Sequence, residues 1–324
     1  MIDRIAVRIC GGVDPHRNLA IEQHLLETVE GGCCLLYLWQ NERTVVIGRN
    51  QNAWAECRTT ALFRDGGKLA RRLSGGGAVY HDLGNLNFTF LMREEDYDLM
   101  RQLSVIQRAC ALCGIETEIS GRNDILADGR KCSGNAFYHH EGRAYHHGTL
   151  LVDTDGEAMN RYLSPSKAKL EAKGVESVRS RVVNLKELNP AITVDLLKAA
   201  MTRAFSEIFG LPLSEPPVLD EARIETLSAH YAGDAWLFGQ RLPFSFRCER
   251  RFPWGGIELQ LFIDRGVITD ARVYTDDMDP ETAPKLRSAF IGSPFSLSAL
   301  LGRIETQNPP HARDIIQMLT EQEI

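Results

Sequence analysis

The sequence predicts an α+β fold: a mostly antiparallel sheet with flanking helices, followed by a small α/β domain. Three observations carry this reading. Two hairpin signatures, NDILA-DG-RKCSG and AFYHH-EG-RAYHHGTLLV, stand in succession. Helical periodicity is clearest over 97–113, where Leu99, Leu103, Ile106, Cys110 and Cys113 recur at three- and four-residue steps. The pattern then changes around Pro243 to FSFRCERRF and GIELQLFIDRGVITDARVY. At about one domain per 150 residues, 324 residues suggest two domains, placed at 1–244 and 245–324.

The elements follow in order. IAVRIC is a first strand. Asp14 caps a helix that has Pro15 at its first position and is stopped by Gly31-Gly32. CCLLYLWQ and TVVIGRN are strands joined by a turn at Asn41-Glu42, and 53–65 are helical. KLARRLSGGGAVYHD and NLNFTFLM carry a glycine element between strands. The segment 164–185 shows little periodicity. A helix near 193–209 ends at Gly210, and the proline-rich LPLSEPPVLDEA leads to another. The last segment holds hairpins and a helix near 281–291.

Hydrophobic content of 44% and charged content of 25% are those of an ordinary globular protein. A net charge of −6 argues against a broad nucleic-acid footprint, which needs a basic surface. No apolar run of spanning length occurs and MIDRIAVRIC does not read as a signal peptide, so neither membrane association nor export is expected and a cytoplasmic location is predicted. The eight cysteines read as free thiols. Cys110 and Cys113 form a C-x-x-C with no second pair at zinc-site spacing.

Three elements suggest chemistry. In RRLSGGGAVYHDLGN, Gly75, Gly76 and Gly77 let the backbone approach a ligand and turn N–H groups to an anion. Arg71 and Arg72 add permanently charged donors, and strand alternation allows one of them to face the ligand. The plainer reading is a glycine bulge with solvated arginines. In the Asp128-Gly129 hairpin, a regular register pairs Lys131 with Leu126, Cys132 with Ile125 and Ser133 with Asp124. That register sets Asp124, Lys131 and Ser133 on one face and Cys132 on the other. The plainer reading is a cross-strand ion pair. Residues 161–181 hold six basic side chains against two acidic ones, either a mobile basic loop or a solvated surface.

Together these motifs resemble the lipoate–protein ligase family, in a long form with a C-terminal accessory domain. RRLSGGGAVYHDLGN is similar to that family's glycine-rich signature and GRNDILADGRKCSGNAF to its lysine motif. HHGTLLVD and SPSKAKLEAKGVESVRSRV are similar to the strand and loop that follow. The resemblance implies the α/β catalytic fold shared with biotin–protein ligases and, more distantly, class II aminoacyl-tRNA synthetases. It implies that ATP and lipoate, or octanoate, form an acyl-adenylate, with Mg²⁺ accompanying ATP and no protein ligand for it assigned. The acyl group then passes to a lysine of a lipoyl domain of a 2-oxoacid dehydrogenase E2 subunit or of the glycine-cleavage H protein.

By resemblance Lys131 is the catalytic cation. Arg71, Gly75, Gly76, Gly77, Ala78 and Val79 are ATP or lipoate contacts. Asn123 and Asp124 help to hold adenine, ribose or the lysine, and His81 and His147 are lesser candidates. Loop 164–181 is expected to close over the adenylate. One departure is Cys132, where such motifs usually carry an aliphatic residue. It raises the alternative of an ATP-independent octanoyl- or lipoyltransferase working through an acyl-cysteine. A ligand-binding regulator is a third possibility, but the expected preceding helix-turn-helix is not seen.

Overall fold

The computed structural model describes residues 1–121, 124–164, 182–238, 246–264 and 266–322. The catalytic part opens with β1 (Arg4–Ile9), α1 (Pro15–Thr28), β2 (Cys33–Trp39), β3 (Thr44–Ile47), α2 (Ala53–Glu56), α3 (Thr59–Arg64), β4 (Lys68–Arg71), β5 (Val79–His81) and β6 (Asn85–Arg93). It continues with α4 (Leu99–Leu112), β7 (Glu118–Ser120), β8 (Asp124–Ala127), β9 (Arg130–His140), β10 (Arg143–Leu151), α5 (Gly156–Tyr162) and α6 (Leu185–Leu188). After α7 (Val194–Phe209), β11 (Leu213–Ser214), α8 (Glu221–Ala232) and α9 (Asp234–Leu237), the C-terminal part holds β12 (Phe246–Phe252), β13 (Gly255–Asp264), β14 (Val267–Thr275), α10 (Thr282–Phe290), α11 (Leu297–Gln307) and α12 (Ala312–Thr320).

The main sheet has eight strands in the order β11-β1-β2-β6-β10-β9-β8-β7. β1 runs parallel to both neighbours, and every other pairing is antiparallel. β2 is apolar throughout because both faces are covered. Cys34, Leu36 and Leu38 join the core under α4 and α7, whereas Leu35, Tyr37 and Trp39 join the core under α1 and α8. The turn at Asn41-Glu42 leads out of this sheet. β3 belongs to a second sheet, ordered β4-β3-β5, whose β4–β5 connection is the glycine segment.

Local sequence accounts for the boundaries. The Asp14 side chain accepts from His16 and Arg17 N–H at the start of α1, and Gly210 closes α7 at φ 65° in the left-handed region. The single helix expected over 53–65 is two, because Cys57 between them is extended and bridges to Leu163. Both hairpin turns have positive φ at both central residues, 51° and 68° at Asp128-Gly129, 49° and 69° at Glu141-Gly142. The domain boundary expected at 244/245 and the loop expected over 164–181 fall, but for Ser164, on or next to residues outside those described.

The C-terminal sheet, ordered β12-β13-β14, packs on α10, α11 and α12 around its own core. Its 275–281 segment lies against the glycine segment. Gly76 N–H donates to Asp277 O at 2.8 Å and Thr275 N–H to Asn50 O at 3.0 Å. A Cβ on Gly75 would stand 2.2 Å from Asp277 O and 2.7 Å from Met278 O. Among the described residues, no helix is long and apolar enough to cross a membrane.

The crowding at Gly75 makes a prediction. Gly75→Ala should push the two parts of the chain apart and cost about 1–3 kcal/mol. Gly156→Ala, at a helix start with nothing within 4 Å of the added carbon, should be neutral or stabilising. Urea unfolding of both variants checks this, and equal midpoints would refute the close contact at Gly75.

Candidate active site

A cavity of about 170 Å³ opens where the glycine segment, β9, β10 and α1 converge. Leu19, Trp39 and Val46 give it an apolar side, and the buried Arg72 and the partly exposed Lys131 line it as well. Gly76, Gly77, Ala78 and Val79 line it, as do His81 and His147. Asp124 reaches it indirectly, through an ion pair to Lys131 at 2.7 Å. Asn123 lies outside the described residues.

The glycine segment is shaped by contacts that exclude side chains. Gly76 has φ 87°, and a Cβ on Gly48 would meet Gly76 O at 2.2 Å. Arg72 folds back over this loop. Its Nε donates to Ser74 Oγ at 3.0 Å, and one terminal nitrogen donates to Gly75 O at 2.7 Å and Gly77 O at 2.8 Å. Arg71 points the other way, as alternation requires. Its donors go to the carbonyls of Gly48, Arg49, Gln51, Trp236 and Leu237. Arg72 therefore lines the cavity, while Arg71 lines a second one. Gly75 is absent from the cavity wall and serves the contact with Asp277 and Met278. Burial pushes both guanidinium pKa values down to about 10, still charged at neutral pH.

The Lys131 hairpin departs from the regular register. Leu126 faces Lys131, but Ile125 faces Ser133 and Asp124 faces Gly134, with Cys132 as the extra residue of a β-bulge. Cys132 and Ile125 both enter the core under α4. Ser133 does not share a face with Lys131 and Asp124, because the bulge shifts it opposite Ile125. Gly134 takes the place facing Asp124, and Lys131 lies across it. A Cβ there would stand 3.1 Å from Nζ.

Behind the cavity runs a buried hydrogen-bond relay that the motifs do not announce. One sequence of donors satisfies it. Arg72 Nε–H donates to Ser74 Oγ, Ser74 O–H to His147 Nε2 at 2.8 Å, and His147 Nδ1–H to Glu22 Oε1 at 2.9 Å. Thr89 Oγ1 adds a bond to Glu22 at 2.7 Å, and Trp39 Nε1–H donates to Thr89 at 3.1 Å. The only local hint of this relay is an acidic residue, Glu22, on the buried side of α1. Trp39, Asn87 and Met278, which also line the cavity, belong to strands and a loop distant in sequence and carry no motif. The Asn87 Nδ2 and His81 Nε2 atoms are buried with no partner among the described residues. His81 Nδ1 faces Asn41 Nδ2 at 3.1 Å, which places the ring proton on Nε2. The cavity thus offers two unpaired donors.

Comparison with known proteins now decides the family. The lipoyl protein ligase A/B catalytic domain matches residues 14–206, and the bacterial lipoate protein ligase C-terminus matches 242–322. Lipoate-protein ligase A of Blochmanniella pennsylvanica (strain BPEN) is 39% identical over 299 residues, 89% of this chain and 88% of that one. The chain belongs to the lipoyl protein ligase A/B family.

Solved structures of similar proteins agree with the fold. P. falciparum LipL1 in complex with lipoate superposes with a TM-score of 0.85 at 26% identity, covering 98% of this chain and 100% of that one. A lipoate-protein ligase A bound with ATP gives 0.62 at 26%, covering 74% and 99%. The Thermoplasma acidophilum bipartite lipoate protein ligase, solved in a study of that system and its E2 lipoyl domain, gives 0.64 at 26%, covering 76% and 100%.

Within this ligase family fold, His81 and His146 are both held from protonation by burial, and His81 lines the cavity. Burial pushes its pKa down to about 3, with the Arg72 charge adding to the effect. The folded form therefore binds fewer protons than the unfolded chain between about pH 3 and 6.5. His81's contribution is intact above pH 6.5 and is lost as pH falls below it, by about 2 kcal/mol between pH 7 and 5. His81→Gln should flatten the pH dependence of the unfolding free energy by that amount. Identical pH slopes in urea titrations would show that His81 takes up its proton in the folded state.

Proposed function

We propose that the chain is an ATP-dependent lipoate–protein ligase whose chemistry runs at Lys131. One arrangement carries this reading: a lysine and a glycine-rich segment line one cavity together with the apolar side chains of Leu19, Trp39 and Val46. An acid with an apolar chain fits there with its tail toward Trp39 and Leu19 and its carboxylate at Lys131. The N–H groups of Gly77 and Ala78 take the α-phosphate, and the positive charge of Arg72, whose donors hold the loop itself, attracts it. The carboxylate and that phosphate repel each other, and Lys131, held by Asp124, stands between them.

A carboxylate oxygen attacks the α-phosphorus and pyrophosphate leaves. Lys131 stabilises charge on the pentavalent transition state. The amine of an acceptor lysine then attacks the acyl carbon and AMP leaves. Mg²⁺ arrives with the triphosphate, whose oxygens supply much of its coordination. Lipoyl domains of E2 subunits are the acceptors, supported by the relative studied with such a domain, and the glycine-cleavage H protein is a second. Lipoate and octanoate both fit the chemistry. Eight free thiols suit a reducing cytoplasm.

The acyl-cysteine route needs a reactive thiolate. Cys132 is fully buried, lines no part of the cavity, and burial pushes its pKa up to about 12. The match to a C-terminal ligase domain points the same way.

ATP–pyrophosphate exchange dependent on lipoate tests the proposal. Lys131→Ala should lower exchange by about 10²–10³-fold, the scale of one lost transition-state donor, with its fold intact because the side chain is partly exposed. Near-normal exchange would remove Lys131 from the chemistry. Cys132→Ser should keep exchange, and any loss should follow stability, at about 1–3 kcal/mol for a hydroxyl buried unpaired. A lipoyl thioester trapped on Cys132 by mass spectrometry would establish the transferase route instead.

A further inference from the structure

A second cavity, of about 370 Å³, lies in the seam between the catalytic part and the C-terminal sheet, and the reaction above makes no use of it. Arg49, Gln51 and Arg71 line it from one side, and Arg272 and Arg287 from the other. Four guanidinium groups thus meet across the seam. Glu281 stands 3.8 Å from Arg49, and Asp270 stands 2.8 Å from Arg287. Among the described residues no carboxylate pairs with Arg71 or Arg272.

Hydrogen bonding is incomplete in the same sense. Gln51 is 2% exposed, and its Oε1 accepts from Gly48 N–H at 2.9 Å. That bond orients the amide and leaves Nε2 buried with no partner among the described residues. Arg272 Nε is also buried and has none among the described residues. Both orphans are N–H donors, one from each part of the chain, in a cavity with surplus positive charge. Acceptor oxygens that carry negative charge complete such a site, and guanidinium forks match phosphate geometry.

We infer that the seam is a binding site for a phosphate-type oxyanion, which engages Gln51 and Arg272 and so ties the C-terminal domain to the catalytic part. Binding to both parts favours the arrangement in which they touch. In that arrangement Asp277 and Met278 lie against the glycine segment. The inference does not rest on the ligase chemistry, and a failed exchange assay leaves it standing.

Isothermal titration of the full chain with pyrophosphate, and separately with AMP, at constant ionic strength is the test. Pyrophosphate should bind the wild type, and Arg272→Gln and Gln51→Glu should each weaken it by about tenfold or more, the loss expected of a charge-assisted hydrogen bond. Lys131→Ala should leave this binding in place. AMP binding with the same dependence on Arg272 and Gln51 supports the site and identifies a nucleotide phosphate as its occupant. Binding that survives Arg272→Gln but is lost in Lys131→Ala would assign the anion to the catalytic cavity and overturn the inference. Absence of wild-type binding to either probe would also overturn it. Arg272 is partly exposed, so its variant keeps the test open if Gln51→Glu does not fold.

Discussion

A buried cation wrapped by its own chain is the constraint on which the site depends. Arg72 is 6% exposed, and a charge so placed is tolerated only if its donors are satisfied. The carbonyls of Val46, Gly75 and Gly77 and the hydroxyl of Ser74 do this. The loop that lines the ligand cavity is therefore folded around a guanidinium, and its carbonyls are turned inward. The countercharge is Glu22, reached through Ser74 and His147. Because Glu22 sits on α1 and His147 on β10, the relay also fixes how helix and sheet meet behind the cavity. Removing any one member leaves a buried polar atom unpaired, so the loop's shape is held by the whole set.

The glycines then acquire separate explanations. Gly48 and Gly76 let two backbones touch, Gly75 makes room for Asp277 and Met278, and Gly77 borders the cavity. Three adjacent glycines are three demands on one turn: an open cavity, a neighbouring strand end and a second domain. Arg71 carries the same loop from outside, by bonding five carbonyls in the 48–51 turn and α9. The two arginines are thus both structural, and one of them, Arg72, also lines the cavity.

Much of the fold was legible because local chemistry specified it. Asp14 with Pro15, Gly210, and the two positive-φ hairpin turns each set a boundary without help from the rest of the chain. The convergence of Lys131 with Gly76–Val79, His81 and His147 was legible through motifs. Illegible features depend on contacts between distant segments. Nothing local distinguishes Arg71 from Arg72, since alternation says only that they diverge and the tertiary packing decides which cavity each one lines. Met278 and Trp39 enter the site from another domain and from the main sheet. The splitting of β2 and β3 into different sheets is likewise a tertiary decision.

The bulge at Cys132 shows why one such failure is informative. Simple alternation sends Ser133 to the lysine's face and would fill the space beside Lys131 with a side chain. Inserting one residue instead buries Cys132 and shifts Ser133 opposite Ile125. Gly134 then faces Asp124, and the lysine's aliphatic stem lies over a residue with no Cβ. Asp124 can pair with the ammonium at 2.7 Å while about a third of the side chain stays open to solvent. A regular strand supplies a lysine, but a bulged one supplies a lysine lying flat along the cavity mouth, with its head directed by a carboxylate. Breaking the two-residue repeat is thus how a sheet that must keep an apolar core on one face presents a fixed charge to the cavity on the other.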